Sequence, residues 1–281
     1  MNTTRTADPV TAGAFELPEN EGFVAPPPLE GRALNPVPAW PDVLREQLSS
    51  VALAVKREAV VVAGFLGLFT AFAMFESDGV GVPFTPTAGI VSGLAALLAP
   101  MVIWKGEGPA RRGYHHAMPV DHGPHAIARG AAGLAWTMAG VAAFFAWSGL
   151  LTVVTGGRVA NVEPWQWLAP FAGATVLYLF GGALTVVSSR PWKWLGLGAV
   201  GYVFVDAFYG SVWPLAESVD SLLNGNYGLT RVLTGLARHH FRHPGERFSS
   251  PDVGTWLTAT FLWMALALTL FLWASYRQPE R

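Results

Sequence analysis

Residues 105–129, KGEGPARRGYHHAMPVDHGPHAIAR, separate two apolar runs, residues 88–104 and 131–154, and the reading of this polar stretch decides the fold. Each run is close to the ~20 apolar residues that cross about 30 Å of hydrocarbon as a helix. With both runs crossing, the stretch between them is a loop held just outside a bilayer. Gly108-Pro109 can open a short helix there, since a proline in the first turn lacks only an N–H that has no intrahelical acceptor. Pro119 closes it, because a proline ring inside a helix clashes with the preceding turn. The spacing predicts a helix over residues 110–118. Arg111 and Arg112 assign the loop to the cytoplasmic side by the positive-inside tendency. Such a stiff knob between two spans suits docking, although an ordinary charged connector would carry the same residues.

Composition agrees with the membrane reading. Of 281 residues, 52% are hydrophobic and 13% charged, where soluble proteins have about 25% charged. The mean hydropathy is +0.36, and the apolar residues come in long blocks, as in an all-α polytopic membrane protein. A formal net charge of −1 without a basic stripe argues against a nucleic-acid partner. There is no cysteine, which excludes disulfides, thiolate catalysis and Cys-based metal or iron–sulfur sites. The first 40 residues hold no apolar core of a signal peptide, so the first span is expected to act as the insertion signal.

Residues 1–41 are rich in Pro, Gly and small polar residues around Pro26-Pro27-Pro28, and read as a disordered cytoplasmic tail. Residues 42–281 form the membrane domain. Leu44, Leu48, Val51 and Val55 recur at helical spacing behind Asp42, a candidate N-cap, and predict an interfacial helix before the first span, although the same pattern would serve a first span that simply extends into the cytoplasm. Six apolar segments follow, at residues 59–74, 88–104, 131–154, 167–187, 194–213 and 256–273. Eight tryptophans fall at the ends of these segments, where an indole sits half wet; only Trp136, Trp147 and Trp263 lie well inside. Lys56, Arg57, Arg111, Arg112, Arg190, Lys193, Arg277 and Arg281 fall on one side, so both termini are expected in the cytoplasm. Residues 214–253 then lie outside, despite Arg231, Arg238, Arg242 and Arg247, because long loops translocate largely regardless of charge. Two short amphipathic runs, Leu215 to Leu223 and Leu229 to Leu236, flank the turn signal Asn224-Gly225-Asn226 and predict an outer helical hairpin.

Few residues carry chemistry. The histidines fall in two loop groups, His115, His116, His122 and His125 against His239, His240 and His243. None lies inside a span, where a haem ligand is expected, and the pair His239/His243 is weak as a metal site; no cofactor or metal is expected. Asp206 is the one formally charged residue within the six segments. An intramembrane carboxylate is a candidate functional site, yet without a basic partner in another span a structural role is favoured. Gly89 and Gly93 form a GxxxG, and Gly196, Gly198 and Gly201 thin the fifth segment, which suits close helix packing. No phosphate loop, GxSxG or HExxH occurs, so no catalytic residue is assigned.

Met118-Pro119-Val120-Asp121-His122, followed by Arg129 at the mouth of the third span, resembles the membrane permeases of type-2 bacterial ATP-binding-cassette exporters. Those proteins tend to carry a leucine-proline-valine-serine-arginine turn here and a basic residue where the next span begins. Pro119, Val120 and Arg129 match, Met118 stands for the leucine, and Asp121 and His122 replace the Ser-Arg pair. The layout from about Leu44 to the C-terminus is similar too. The resemblance implies a permease half in the bacterial inner membrane, paired with a second copy or a homologue and driven by a separate cytoplasmic ATPase. Arg111, Arg112, Tyr114, Met118, Pro119 and Val120 would then contact the ATPase, with Arg129 anchoring the third span. The rival is a non-transporting scaffold subunit of a respiratory or photosynthetic complex. A proton-coupled carrier would rest on Asp206 alone.

Overall fold

The computed structural model describes residues 40–76, 81, 84–85, 89–105, 122–161, 163–207, 213–235 and 252–277. Its helices are α1 (Trp40–Glu76), α2 (Gly89–Ile103), α3 (His122–Val154), α4 (Ala169–Val187, entered through a 3-10 turn at Pro164–Leu168), α5 (Pro191–Ala207), α6 (Trp213–Asn224), α7 (Leu229–Thr234) and α8 (Val253–Tyr276). The chain is all-helical among the described residues, apart from one isolated bridge between Phe84 and Val159. There Phe84 exchanges backbone hydrogen bonds with Arg158 and Ala160 and packs its ring on Trp167, 4.6 Å between centroids.

Among the described residues, three helices are long and apolar enough to cross a membrane: Pro124–Val154 within α3, Pro164–Val187 and Val253–Tyr276. Gly89–Ile103 is a shorter apolar helix. In the second of the three, 67% of the apolar window is buried, against 28% in α3 and 22% in α8. α4 is therefore the axis, and the other two turn most of their apolar surface outward, as a helix in lipid can and a helix in water cannot.

Contacts along the helices give their directions. Gly89 meets Pro170, Gly93 meets Leu177 and Gly181 meets the Leu97 carbonyl, so α2 and α4 run parallel. Trp165 stacks on Trp256 and Gly182 lies against Phe271, so α8 runs the same way. Tyr178 bonds to Gly130, Thr175 to the Met138 sulfur, and Phe171 packs on Phe145, so α3 is antiparallel to α4. Trp136 donates to the Leu48 carbonyl and Trp147 to the Thr70 hydroxyl, which sets α1 parallel to α3. The glycines explain the closest approach: a Cβ on Gly181 would overlap the Leu97 backbone. Small residues let helix backbones meet where lipid supplies no hydrophobic drive. The Gly89/Gly93 pair is thus spent inside the chain, against α4 and Leu233.

Three expectations need correction. The amphipathic run and the first apolar segment form one continuous helix of 37 residues, about 55 Å long, with no separate interfacial helix. That helix starts at Trp40, so residues 40 and 41 leave the expected tail; Asp42 is not a cap but an acid in the first turn, where the helix dipole favours it. Residues 122–129 belong to α3 and not to the loop. Gly123-Pro124 opens that helix by the same first-turn logic applied to Gly108-Pro109, and buried Ala126, Ala128 and Ala132 hold its polar first turns against the bundle. In the fifth apolar segment, expected at residues 194–213, residues 194–207 are helical as α5, and residues 208–212 lie outside the described residues. The helix expected over residues 110–118, the rest of the tail and both histidine groups apart from His122 and His125 lie outside the described residues.

Candidate functional site

Of the residues expected to meet an ATPase, Arg111, Arg112, Tyr114, Met118, Pro119 and Val120 lie outside the described residues. Arg129 is placed, and it is buried at 8% exposure in the third turn of α3. Its Nη2 donates to the Ile103 carbonyl at 2.8 Å. Ile103 is the last residue of α2, where helix carbonyls lack intrahelical donors and the macrodipole favours a cation. One residue on, the Gly130 carbonyl accepts from the buried Tyr178 hydroxyl at 3.0 Å. A Cβ on Gly133 would overlap that hydroxyl and the Ile103 side chain, and one on Gly130 would overlap the Phe271 ring. Ile103 and Arg129, which flank the polar segment 106–121, are therefore joined in one knot of α2, α3, α4 and α8. Asp206 falls on α5, and its side chain lies outside the described residues. Among the described residues no three His, Asp or Glu side chains gather to hold a metal.

A second site, which the sequence reading did not single out, lies where α6 turns into α7. Residues 224–228 form the turn, with Gly228 N–H donating to the Gly225 carbonyl at 2.8 Å. Asn224 Nδ2 donates to Asp220 Oδ1 at 2.9 Å, and Thr230 Oγ1 to Asn224 Oδ1 at 2.9 Å. Buried Arg231 donates from Nη1 to the Asn226 carbonyl at 2.9 Å. Across the groove, Trp263 in α8 donates its indole N–H to the Tyr227 carbonyl at 2.8 Å. Between turn and helix lies a cavity of about 630 Å³, whose walls include Asp220, Asn224, Asn226, Tyr227, Trp263 and Leu266.

The depth of this cavity follows from helix geometry. Gly235, at the far end of α7, takes the left-handed conformation (φ 67°), which a glycine adopts without cost. Its carbonyl accepts from Gln166, and it lies against Trp165, which stacks on Trp256 at 5.1 Å. Trp256 and Trp165 stand at the heads of α8 and of the helix leading into α4. Trp263 is seven residues further along α8, about 10 Å at 1.5 Å per residue. α7 thus runs from the tryptophan pair down to a polar turn beside the middle of α8. Leu233 wedges it there, against Gly89, Gly93 and Gly173.

The chain was compared with protein-family models, characterised proteins and solved structures, and it matches none. Chemistry must therefore be read from the two sites themselves. The Arg129 knot ties the end of α2 to α3. The turn cavity offers one carboxylate, two amides and aromatic walls, which suit binding rather than bond making.

Proposed function

We propose that this chain is one half of a six-span, ATP-driven permease of the bacterial inner membrane, with both termini cytoplasmic and α6–α7 as its outer hairpin. A separate ATPase would grip the loop around Arg111, Arg112, Tyr114 and Met118 to Val120. The observation that carries the reading is α5. Trp192, Trp194, Leu197, Val200, Tyr202, Val203 and Phe204 point around the whole helix and are each 50–67% exposed. Gly196, Gly198 and Gly201 have no atom within 4 Å of an added Cβ. The outer half of α1, with Val60, Phe65, Leu68 and Phe72 all more than half exposed, is similarly uncovered.

A permease half needs such surfaces, because its pathway forms between halves. Buried Ser92, Thr152, Thr185 and Ser275 each spend their hydroxyl on their own helix backbone. ATP-driven closure would then rock two halves as rigid bodies, with Arg129 passing the loop's displacement to α2 and α3 together.

The test is purification of the native complex in mild detergent, with its subunits identified by mass spectrometry. A phosphate-loop ATPase is expected in equal amount to this chain, and it is lost from Met118→Asp/Val120→Asp, because unpaired charge at an interface weakens docking by orders of magnitude. Respiratory or photosynthetic subunits in place of the ATPase would assign the scaffold role instead.

A further inference from the structure

We infer that the cavity between the α6–α7 turn and α8 is an aqueous vestibule, open from the outer side, that admits small hydrophilic solutes to about mid-membrane depth. It rests on the reading of α8 as a span with α6–α7 on the outer side, and it needs no ATPase partner.

Depth is measured along the helices. Trp263, which holds the turn through the Tyr227 carbonyl, stands about 15 Å from Val253 and about 20 Å from Tyr276 along α8, at 1.5 Å per residue. α6 is long enough to reach that level, since its 12 residues measure about 18 Å. Hydrocarbon is roughly 30 Å thick, so residues 224–228 lie near its middle.

At that depth non-helical backbone and polar side chains persist only where protein or water satisfies them. Protein satisfies part of this turn. Asn226 gives its carbonyl and Oδ1 to Arg231. Its Nδ2 hydrogens and the Ser221 hydroxyl meet no acceptor among the described residues, and both residues are exposed, as is Tyr227. A lipid chain in the cavity would leave these groups unmet, whereas water meets them. Volume permits it: about 630 Å³ holds on the order of 20 waters at ~30 Å³ each, and lies within the roughly 300–1,000 Å³ of small-molecule sites.

The walls also tell two faces of α8 apart. Leu262 and Leu266 line the cavity, one turn from each other. Phe261 and Leu268 stand at nearly the same depths, are 73% and 44% exposed, and are not among its walls. Water is therefore expected on one face of the helix and lipid on the other.

The test places single cysteines at residues 261, 262, 266 and 268 of the full, cysteine-free chain. Sulfonatoethyl methanethiosulfonate, a small charged solute, is added to intact cells. Its target is the thiolate, which forms in water and not in lipid, so the rate of labelling reports hydration. Leu262→Cys and Leu266→Cys should react at least tenfold faster than Phe261→Cys and Leu268→Cys. Should Leu266→Cys fail to insert, Leu262→Cys against Phe261→Cys decides. Slow reaction at all four positions, each labelled fully after denaturation, overturns the inference and leaves the cavity to lipid or a second copy. Fast reaction at all four instead overturns the reading of α8 as a span. Fast reaction at 262 and 266 only after the cells are opened overturns the outer opening.

Discussion

The indole N–H of Trp263 donates to the backbone carbonyl of Tyr227 at 2.8 Å, which ties the middle of α8 to a turn that no helix ladder satisfies. A half-buried indole gains from an acceptor, and a turn carbonyl outside any helix ladder gains from a donor. The pair meets both needs with one bond. Trp263→Phe keeps an aromatic body and removes the donor. It is expected to cost about 1 kcal/mol, the usual net worth of such a bond, read as a lower denaturant midpoint in detergent. An equal loss in Trp263→Phe and in a neighbouring control such as Phe261→Leu would show the bond to be idle.

Arg129 gives a second prediction. It links the last carbonyl of α2 to the third turn of α3, so the two ends of the intervening loop move together. Arg129→Met fills similar volume without a donor for Ile103, and a loss of about 2 kcal/mol is expected, as for hydrogen bonds to charged groups. Arg129→Lys should recover only part, since an ammonium lacks the planar fork. Chemical denaturation followed by circular dichroism measures all three, and full stability in the methionine variant would remove Arg129 from the clamp.

The same residues show what the sequence could and could not reveal. The helical class was legible because lipid demands apolar runs of set length, and the ends of α2 and α4 fell within two residues of the expected segments. The Asn224-Gly225-Asn226 turn was legible from its residue types. The packing of that turn beside Trp263 was not, because it depends on the register of α7 against α8, which no local pattern records. A signal did exist: Trp136, Trp147 and Trp263 are the tryptophans inside spans, and each donates its N–H to a neighbouring element. The start of α3 was missed because hydropathy reads His125 and Arg129 as loop, while burial of the alanines beside them makes helix the lower-energy state.

Asp252 caps α8, its Oδ2 accepting from the Thr255 backbone N–H and hydroxyl at 3.1 Å each. The Thr255 and Gly254 backbone N–H groups, with the Thr255 hydroxyl, hold its carboxyl below the ordinary aspartate value. A depressed folded pKa contributes stability above the unfolded value of 3.8, and that contribution is lost as pH falls through the folded value. Thermal midpoints measured from pH 6 down to pH 3 should therefore fall more steeply in wild type than in Asp252→Asn, which caps without titrating. Parallel curves would mean the cap does not titrate with folding.

The cysteine-free chain allows a direct test of orientation. A cysteine replacing His240 should react with an impermeant maleimide on intact cells, and one replacing Arg112 only after the cells are opened. The reverse pattern would invert the proposed topology.

Glycine substitutions separate packing within the chain from packing between chains. A Cβ on Gly181 would overlap the Leu97 carbonyl, a backbone atom that cannot rotate aside. Gly181→Ala must therefore push α2 from α4, at a cost of about 1–3 kcal/mol for an overpacked contact. Gly198 on α5 has nothing within 4 Å. Gly198→Ala should leave the isolated chain as stable as wild type or slightly more so, since alanine favours helix over glycine by up to about 1 kcal/mol. Gly198→Leu then asks what covers α5. Lipid accommodates a leucine there, whereas a second helix packed on a glycine face is forced away by it. A permease half should therefore lose its dimer in Gly198→Leu, seen as a shift from two chains to one by light scattering in detergent, with the unfolding midpoint of the single chain unchanged. A dimer that survives Gly198→Leu, together with the matching Gly196→Leu and Gly201→Leu variants, would show that α5 faces lipid and that the halves must meet elsewhere.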